Sequence, residues 1–152
     1  MGEAYFYHLT RQPLEVTLRV LLEKSLERSW RVAVRGRTDA LLDRLDQHLW
    51  LGDGFLPHGR AGGAHDAEQP VLLTTGQAGN APDCLVSVEG ADIGADEVAT
   101  LQRAMILFDG HDPGAVQAAR EQWKTLTSAG VGAKYWSEES GRWTMAAQSG
   151  GA

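Results

Sequence analysis

Ala4-Tyr5-Phe6-Tyr7-His8-Leu9 leads through Thr10-Arg11-Gln12-Pro13 into Leu14, Leu18, Leu21, Leu22 and Leu26, and then to Arg31-Val32-Ala33-Val34-Arg35. This stretch decides the fold. Its first six residues are apolar, aromatic and bounded by turn formers, which reads as a strand. Pro13 suits the first turn of a helix, where its missing N–H would have no partner anyway. The leucines then recur at helical spacing, and Glu15 with Arg19 makes a supporting i,i+4 pair. Arg31 to Arg35 forms a second strand, rich in β-branched residues. Strand, helix and strand in so short a span make the crossover unit of a parallel sheet.

The alternation continues outward from this unit. Gly36 breaks the second strand, and Thr38 can cap a helix carrying Leu41, Leu42, Leu45 and Leu49. Val71 to Thr74 and Cys84 to Val88 are short apolar runs of the kind buried in a sheet. Asp96 starts a short helix, and Ala104 to Phe108 is another buried strand. Asp112-Pro113 is a cap and first-turn signal for a helix to about Ser128. Ala133 to Trp136 and Arg142 to Met145 flank Glu139-Ser140-Gly141 as a terminal hairpin. From Leu51 to Gln69 there is no clear period and much glycine, so a long loop is expected, a length that is usually functional or mobile. The expected architecture is α/β, a three-layer sandwich around a largely parallel central sheet. Residues 1–147 are expected to form a single domain, with 148–152 as a flexible tail.

Composition bounds the function. A chain of 152 residues fits one domain, and 43% hydrophobic residues argue for a packed core rather than disorder. A net charge of −6 argues against general affinity for nucleic acid, although a local basic patch is compatible with it. No run approaches the roughly 18 apolar residues of a membrane span, and the N-terminus lacks the basic and apolar regions of a signal peptide. The single cysteine, Cys84, has no internal disulfide partner, which points to a reduced cytoplasmic protein.

Catalytic signatures are missing. Gly59-Arg60-Ala61-Gly62-Gly63 lacks the lysine and hydroxyl of a phosphate-binding loop. The turn after the first strand has no glycine through which a pyrophosphate could approach the backbone. There is no Gly-x-Ser-x-Gly elbow. Cys84 sits in an apolar run, as a structural thiol does. His58 and His65 share a loop, but His8, His48, His58, His65 and His111 show no metal-ligand spacing. No cofactor, no metal and no catalytic residue is expected.

Two constellations point to binding instead. Trp50-Leu51-Gly52-Asp53-Gly54-Phe55-Leu56-Pro57-His58 carries large aromatics on an irregular segment, tucked into the core or offered to a partner. Trp50 ends a helix whose stripe is already filled by Leu42, Leu45 and Leu49, which makes it an edge residue. The second is Ala119-Arg120-Glu121-Gln122-Trp123-Lys124. Advancing ~100° per residue from Val116 puts Ala119, Trp123 and Leu126 on one apolar stripe, with Arg120 and Lys124 beside it. This is either a core Trp with two solvated charges or an apolar notch edged by cations. Such a notch suits a peptide with a hydrophobic C-terminal residue, a free carboxylate and acidic neighbours.

Taken in order, seven segments resemble the chi subunit of bacterial DNA polymerase III: FYHL from Phe6, LLEKSLERSWRVAVR from Leu21, LDQHLW from Leu45, FLPHG from Phe55, QPVLLTT from Gln69, LFDG from Leu107 and AREQWK from Ala119. The resemblance covers nearly the whole chain. It implies a nucleotide-binding-like shape without a phosphate-binding loop, and a non-catalytic accessory subunit of the clamp-loader assembly. It implies two partners. The psi subunit, or an equivalent, would meet Trp50, Phe55, Pro57 and His58. The acidic, Phe-ended C-terminal tail of single-stranded DNA-binding protein would meet Phe108, Arg120, Trp123 and Lys124. DNA would be reached only indirectly, and the chain would be a monomer or a heterodimer. Val116 stands where some relatives carry a further lysine, which implies a thinner cationic edge. The alternatives are a small nucleotide-binding or enzymatic α/β domain, or an adaptor for a repair helicase that uses the same Trp50 face.

Overall fold

A computed structural model describes residues 2–51, 56–138 and 143–149. In chain order its elements are β1 (Glu3–Leu9), α1 (Leu14–Glu27), β2 (Val32–Arg35), α2 (Asp39–Leu51), β3 (Gly59–Arg60), β4 (Val71–Thr74), β5 (Cys84–Ser87), α3 (Ala95–Val98), β6 (Arg103–Asp109), α4 (Pro113–Ser128), β7 (Gly132–Ser137) and β8 (Thr144–Ser149). The strands form one sheet in the order β3-β4-β2-β5-β6-β1-β7-β8. All neighbours are parallel except β7 and β8.

Side-chain alternation divides the core into two layers. On β6, Met105 and Leu107 face α1 and α2, joining Leu18, Leu22, Leu42, Leu45 and Leu49. Ala104, Ile106 and Phe108 face the other side, joining Val98 and Leu101 around α3 and Ala119 and Leu126 on α4. β4 and β5 are buried along their whole length, as strands inside a parallel sheet are. The three-layer α/β sandwich expected from the sequence is the fold.

Local signals explain the helix starts. The Asp112 Oδ1 accepts from the Gly114 N–H at 2.9 Å and the Ala115 N–H at 3.4 Å, capping α4 with Pro113 in its first turn. The Thr38 hydroxyl accepts from the Leu41 N–H at 3.3 Å at the start of α2.

Two expectations change. The stretch from Leu51 to Gln69 is not wholly irregular. Leu51 closes α2, Gly59 and Arg60 form a strand paired in parallel with Leu72 and Leu73, and Asp66–Glu68 is a 3₁₀ turn. A two-residue strand has no alternation to read, and it is held by pairing at the sheet edge and by Arg60 reaching Asp39 and Asp43. At the C-terminus the hairpin is present, with Trp136 opposite Met145, but β8 begins at Thr144 and runs through Gln148 to Ser149. Gln148 pairs with Lys134 and Ser149 with Ala133, beyond the Ala147 boundary. The Glu139-Ser140-Gly141 connection and Arg142 lie outside the described residues.

Candidate partner-binding sites

Trp50 stands in the last turn of α2. Asp39, Asp43, Asp46 and Trp50 recur every three or four residues and so line one side of that helix. Arg60 on β3 answers the first two, with its guanidinium 3.0 Å from Asp39 and also bonded to Asp43. His58 answers the third. Its Nε2 lies 2.8 Å from Asp46, and Nδ1–H donates to the Leu56 carbonyl at 2.7 Å. The His58 ring lies 4.4 Å from that of Trp50. Leu56 and His58 are buried, Pro57 is half-buried, and Trp50 is 54% exposed. His58 therefore supports the Trp50 indole from within rather than meeting solvent. Phe55 lies outside the described residues. Leu51, which the sequence reading did not single out, is 84% exposed and adds a second apolar side chain at this helix end. Its helical phase, well off the Leu42, Leu45 and Leu49 stripe, was the available signal. His58 is buried against Asp46, whereas His65 is exposed and faces Glu68 at 3.3 Å.

On α4, the two readings of Trp123 both apply. Its ring packs edge-on against Phe6 at 5.2 Å and Tyr135 at 6.2 Å, so its body belongs to the core. It is nonetheless only half-buried, and the exposed Arg120 and Lys124 flank it. Neither cation has an ion-pair partner among the described residues. Phe108 is 6% exposed and stacks on His8 at 5.2 Å with planes 9° apart. It forms the backing of this region rather than its surface. Tyr135, contributed by β7, touches both Phe108 and Trp123 and was not anticipated.

A third feature lies at the carboxyl ends of β1 and β6. β1 and β6 are neighbours, but α1 and α4, which follow them, lie on opposite faces. Such a switch point is where α/β sheets bind ligands. A crevice of about 1230 Å³ opens there. Its backbone donors are already engaged by the chain's own carboxylates. Glu138 Oε1 accepts from the N–H groups of Thr10, Arg11 and Gln12 at 2.9, 2.9 and 3.1 Å. Glu89 accepts from the Arg37 and Thr38 N–H groups at 2.8 and 2.9 Å, and from the Thr38 hydroxyl. Burial pushes the Glu138 carboxyl up, but the three N–H donors and Arg11 outweigh it and hold the group below the usual carboxylate range. Glu89 is lowered in the same way against its own desolvation. A phosphate entering either loop would have to displace a bound anion.

Cys84 is fully buried, and burial pushes its thiol up to about 12, as befits a packing residue. No helix among the described residues is long and apolar enough to cross a membrane.

The family model for DNA polymerase III chi subunit, HolC, matches residues 1–134. The chain belongs to the DNA polymerase III chi subunit family. The match runs from β1 into β7 and contains Trp50, Pro57, His58, Phe108, Arg120, Trp123 and Lys124. Glu138 and β8 lie beyond it. Members of the chi family are non-catalytic accessory subunits that associate with other DNA polymerase III subunits, and this chain takes that role. No curated protein matches the chain.

Proposed function

We propose that this chi-family chain is an adaptor within the clamp-loader complex of the cytoplasmic replication machinery. One face, centred on Trp50 with Leu51, Phe55, Pro57 and the supporting His58, would take the psi subunit or its equivalent. The other, at Arg120, Trp123 and Lys124 with Phe108 behind, would take the C-terminal tail of single-stranded DNA-binding protein. The observation that carries the reading is the pair of exposed cations, without ion-pair partners among the described residues, beside a half-buried indole on α4. A tail ending in Phe with acidic neighbours complements both, its ring against Trp123 and its carboxylates on Arg120 and Lys124. The exposed Trp50 supports the first face, since an indole at a helix end with an apolar neighbour is an anchor of the kind interfaces use.

Calorimetric titration with a peptide copying that tail tests the reading. Arg120→Ala is expected to weaken binding by about 1–3 kcal/mol through loss of a charged hydrogen bond, and added salt should weaken wild-type binding. Wild-type affinity in both Arg120→Ala and Trp123→Ala would remove the α4 site.

A further inference from the structure

The face of the sheet that carries α1 and α2 has a second half, over β1, β7 and β8, with a different character. Registry brings Tyr5 beside Lys134, and Tyr7 beside Trp136. Alternation puts all four on one face, together with Arg103 from β6. α1 ends at Glu27, and the chain turns at Ser29, with φ +62°, which delivers Arg28 and Trp30 to the same region. The rings and cations interleave. Arg103 lies 4.1 Å over the Tyr5 ring and 5.1 Å over Trp30, Arg28 lies 5.0 Å over Trp30, and Lys134 lies 5.3 Å over Tyr5. Trp136 approaches Tyr5 at 6.3 Å, and Trp143 meets Tyr7 edge-on at 5.4 Å. Tyr5, Trp30, Trp136 and Trp143 are half-buried, and Arg28 is exposed.

The local charge opposes that of the molecule. The chain carries −6 overall, whereas this face groups Arg28, Arg103 and Lys134 against Glu3, which pairs with Lys134 at 3.7 Å. β8 adds no charge from Thr144 to Ser149, and its Met145 is 47% exposed. The large crevice is elsewhere, at the carboxyl ends of β1 and β6. Here the surface offers ring and guanidinium planes on strands, with cations between them. Planar stacking surfaces with interleaved cations match unstacked bases on a phosphate backbone. A peptide anchor would call for a pocket to fill.

We propose that this aromatic, cationic half of the sheet binds single-stranded nucleic acid directly, without sequence preference. Bases would stack on Trp30, Tyr5 and Trp136 or on the guanidinium planes, and Arg28, Arg103 and Lys134 would meet phosphates.

The probe is a fluorescein-labelled oligothymidylate titrated with the whole chain at low salt and followed by anisotropy, with tryptophan quenching as a second signal. Binding is expected, weakening as salt rises. The exposed substitution Arg28→Glu should weaken it about tenfold, and Lys134→Glu similarly. Arg37→Glu, an equal charge change at the opposite end of the sheet, should leave it unaltered. An abasic oligomer of the same length should bind about tenfold more weakly, because it cannot stack. No binding to oligothymidylate overturns the proposal, as does equal loss in Arg37→Glu. Equal affinity for the abasic oligomer would reduce the face to a polyanion surface. Displacement of the oligonucleotide by an acidic Phe-ended peptide, abolished in Arg28→Glu, would make it a peptide site instead.

Discussion

Glu138→Ala removes one carboxylate that holds together two distant parts of the chain. Its Oε1 takes three consecutive amide N–H groups of the β1–α1 connection at 2.9, 2.9 and 3.1 Å, and Arg11 Nε donates back to the Glu138 carbonyl at 3.1 Å. A hydrogen bond to a charged group contributes about 1.5–3 kcal/mol. Arg11 and Gln12 are exposed, so water can replace part of what is lost. The expected cost is therefore about 2–3 kcal/mol, or roughly 4–12 °C in Tm for a domain of this size. Glu138→Gln keeps an oxygen acceptor without the charge and should cost about half as much. The pH dependence has a definite sign. The Glu138 carboxyl is lowered in the folded chain, so its contribution is fully present above the ordinary glutamate value of about 4.3. That contribution is lost as pH falls through the lower folded value. Thermal unfolding followed by circular dichroism at pH 7 and below pH 4 measures both effects. The gap between wild type and Glu138→Ala should be wide at pH 7 and narrow in acid. Equal Tm values at pH 7, or a gap that persists unchanged in acid, would show that the Glu138 carboxylate does not hold the β1–α1 connection.

Other consequences follow from the same packing. Leu49 is 1% exposed and Trp50 is 54% exposed. In urea unfolding Leu49→Ala should therefore cost about 2–5 kcal/mol and Trp50→Ala less than about 1 kcal/mol. Asp112→Ala removes the only side-chain acceptor capping α4 among the described residues and should cost about 1 kcal/mol by the same measurement. Cys84, with its thiol pushed up to about 12 by burial, should resist alkylation at pH 8 in the native chain. It should react at the rate of unfolding, which mass spectrometry can follow.

The parts of the fold that were legible in the sequence are those set by local chemistry. The leucine period of α1, the Asp112-Pro113 start of α4 and the apolar runs of β4 and β5 each report burial within a few residues, and the structure follows them. β3 was not legible because its two residues are a strand only by virtue of β4. Glu138 and Glu89 left no trace because their partners lie more than a hundred and about fifty residues away in sequence, and nothing near either marks an anion nest. The α4 stripe was legible in phase, but only tertiary structure shows that Phe108 is buried while Tyr135 touches both it and Trp123. The aromatic and cationic face is assembled from Tyr5, Arg28, Trp30, Arg103, Lys134 and Trp136. These come from four separate segments, and the net negative charge conceals them.

The proposed adaptor would hold two partners at once. A fluorescent copy of the single-stranded DNA-binding protein tail, mixed with the psi subunit or its equivalent, can be sedimented with and without this chain. The peptide is expected to sediment with psi only when the chain is present, and either Trp50→Ala or Arg120→Ala should release it. Competition between psi and the peptide for the chain, or no co-sedimentation with the wild-type chain, would rule out a two-faced adaptor.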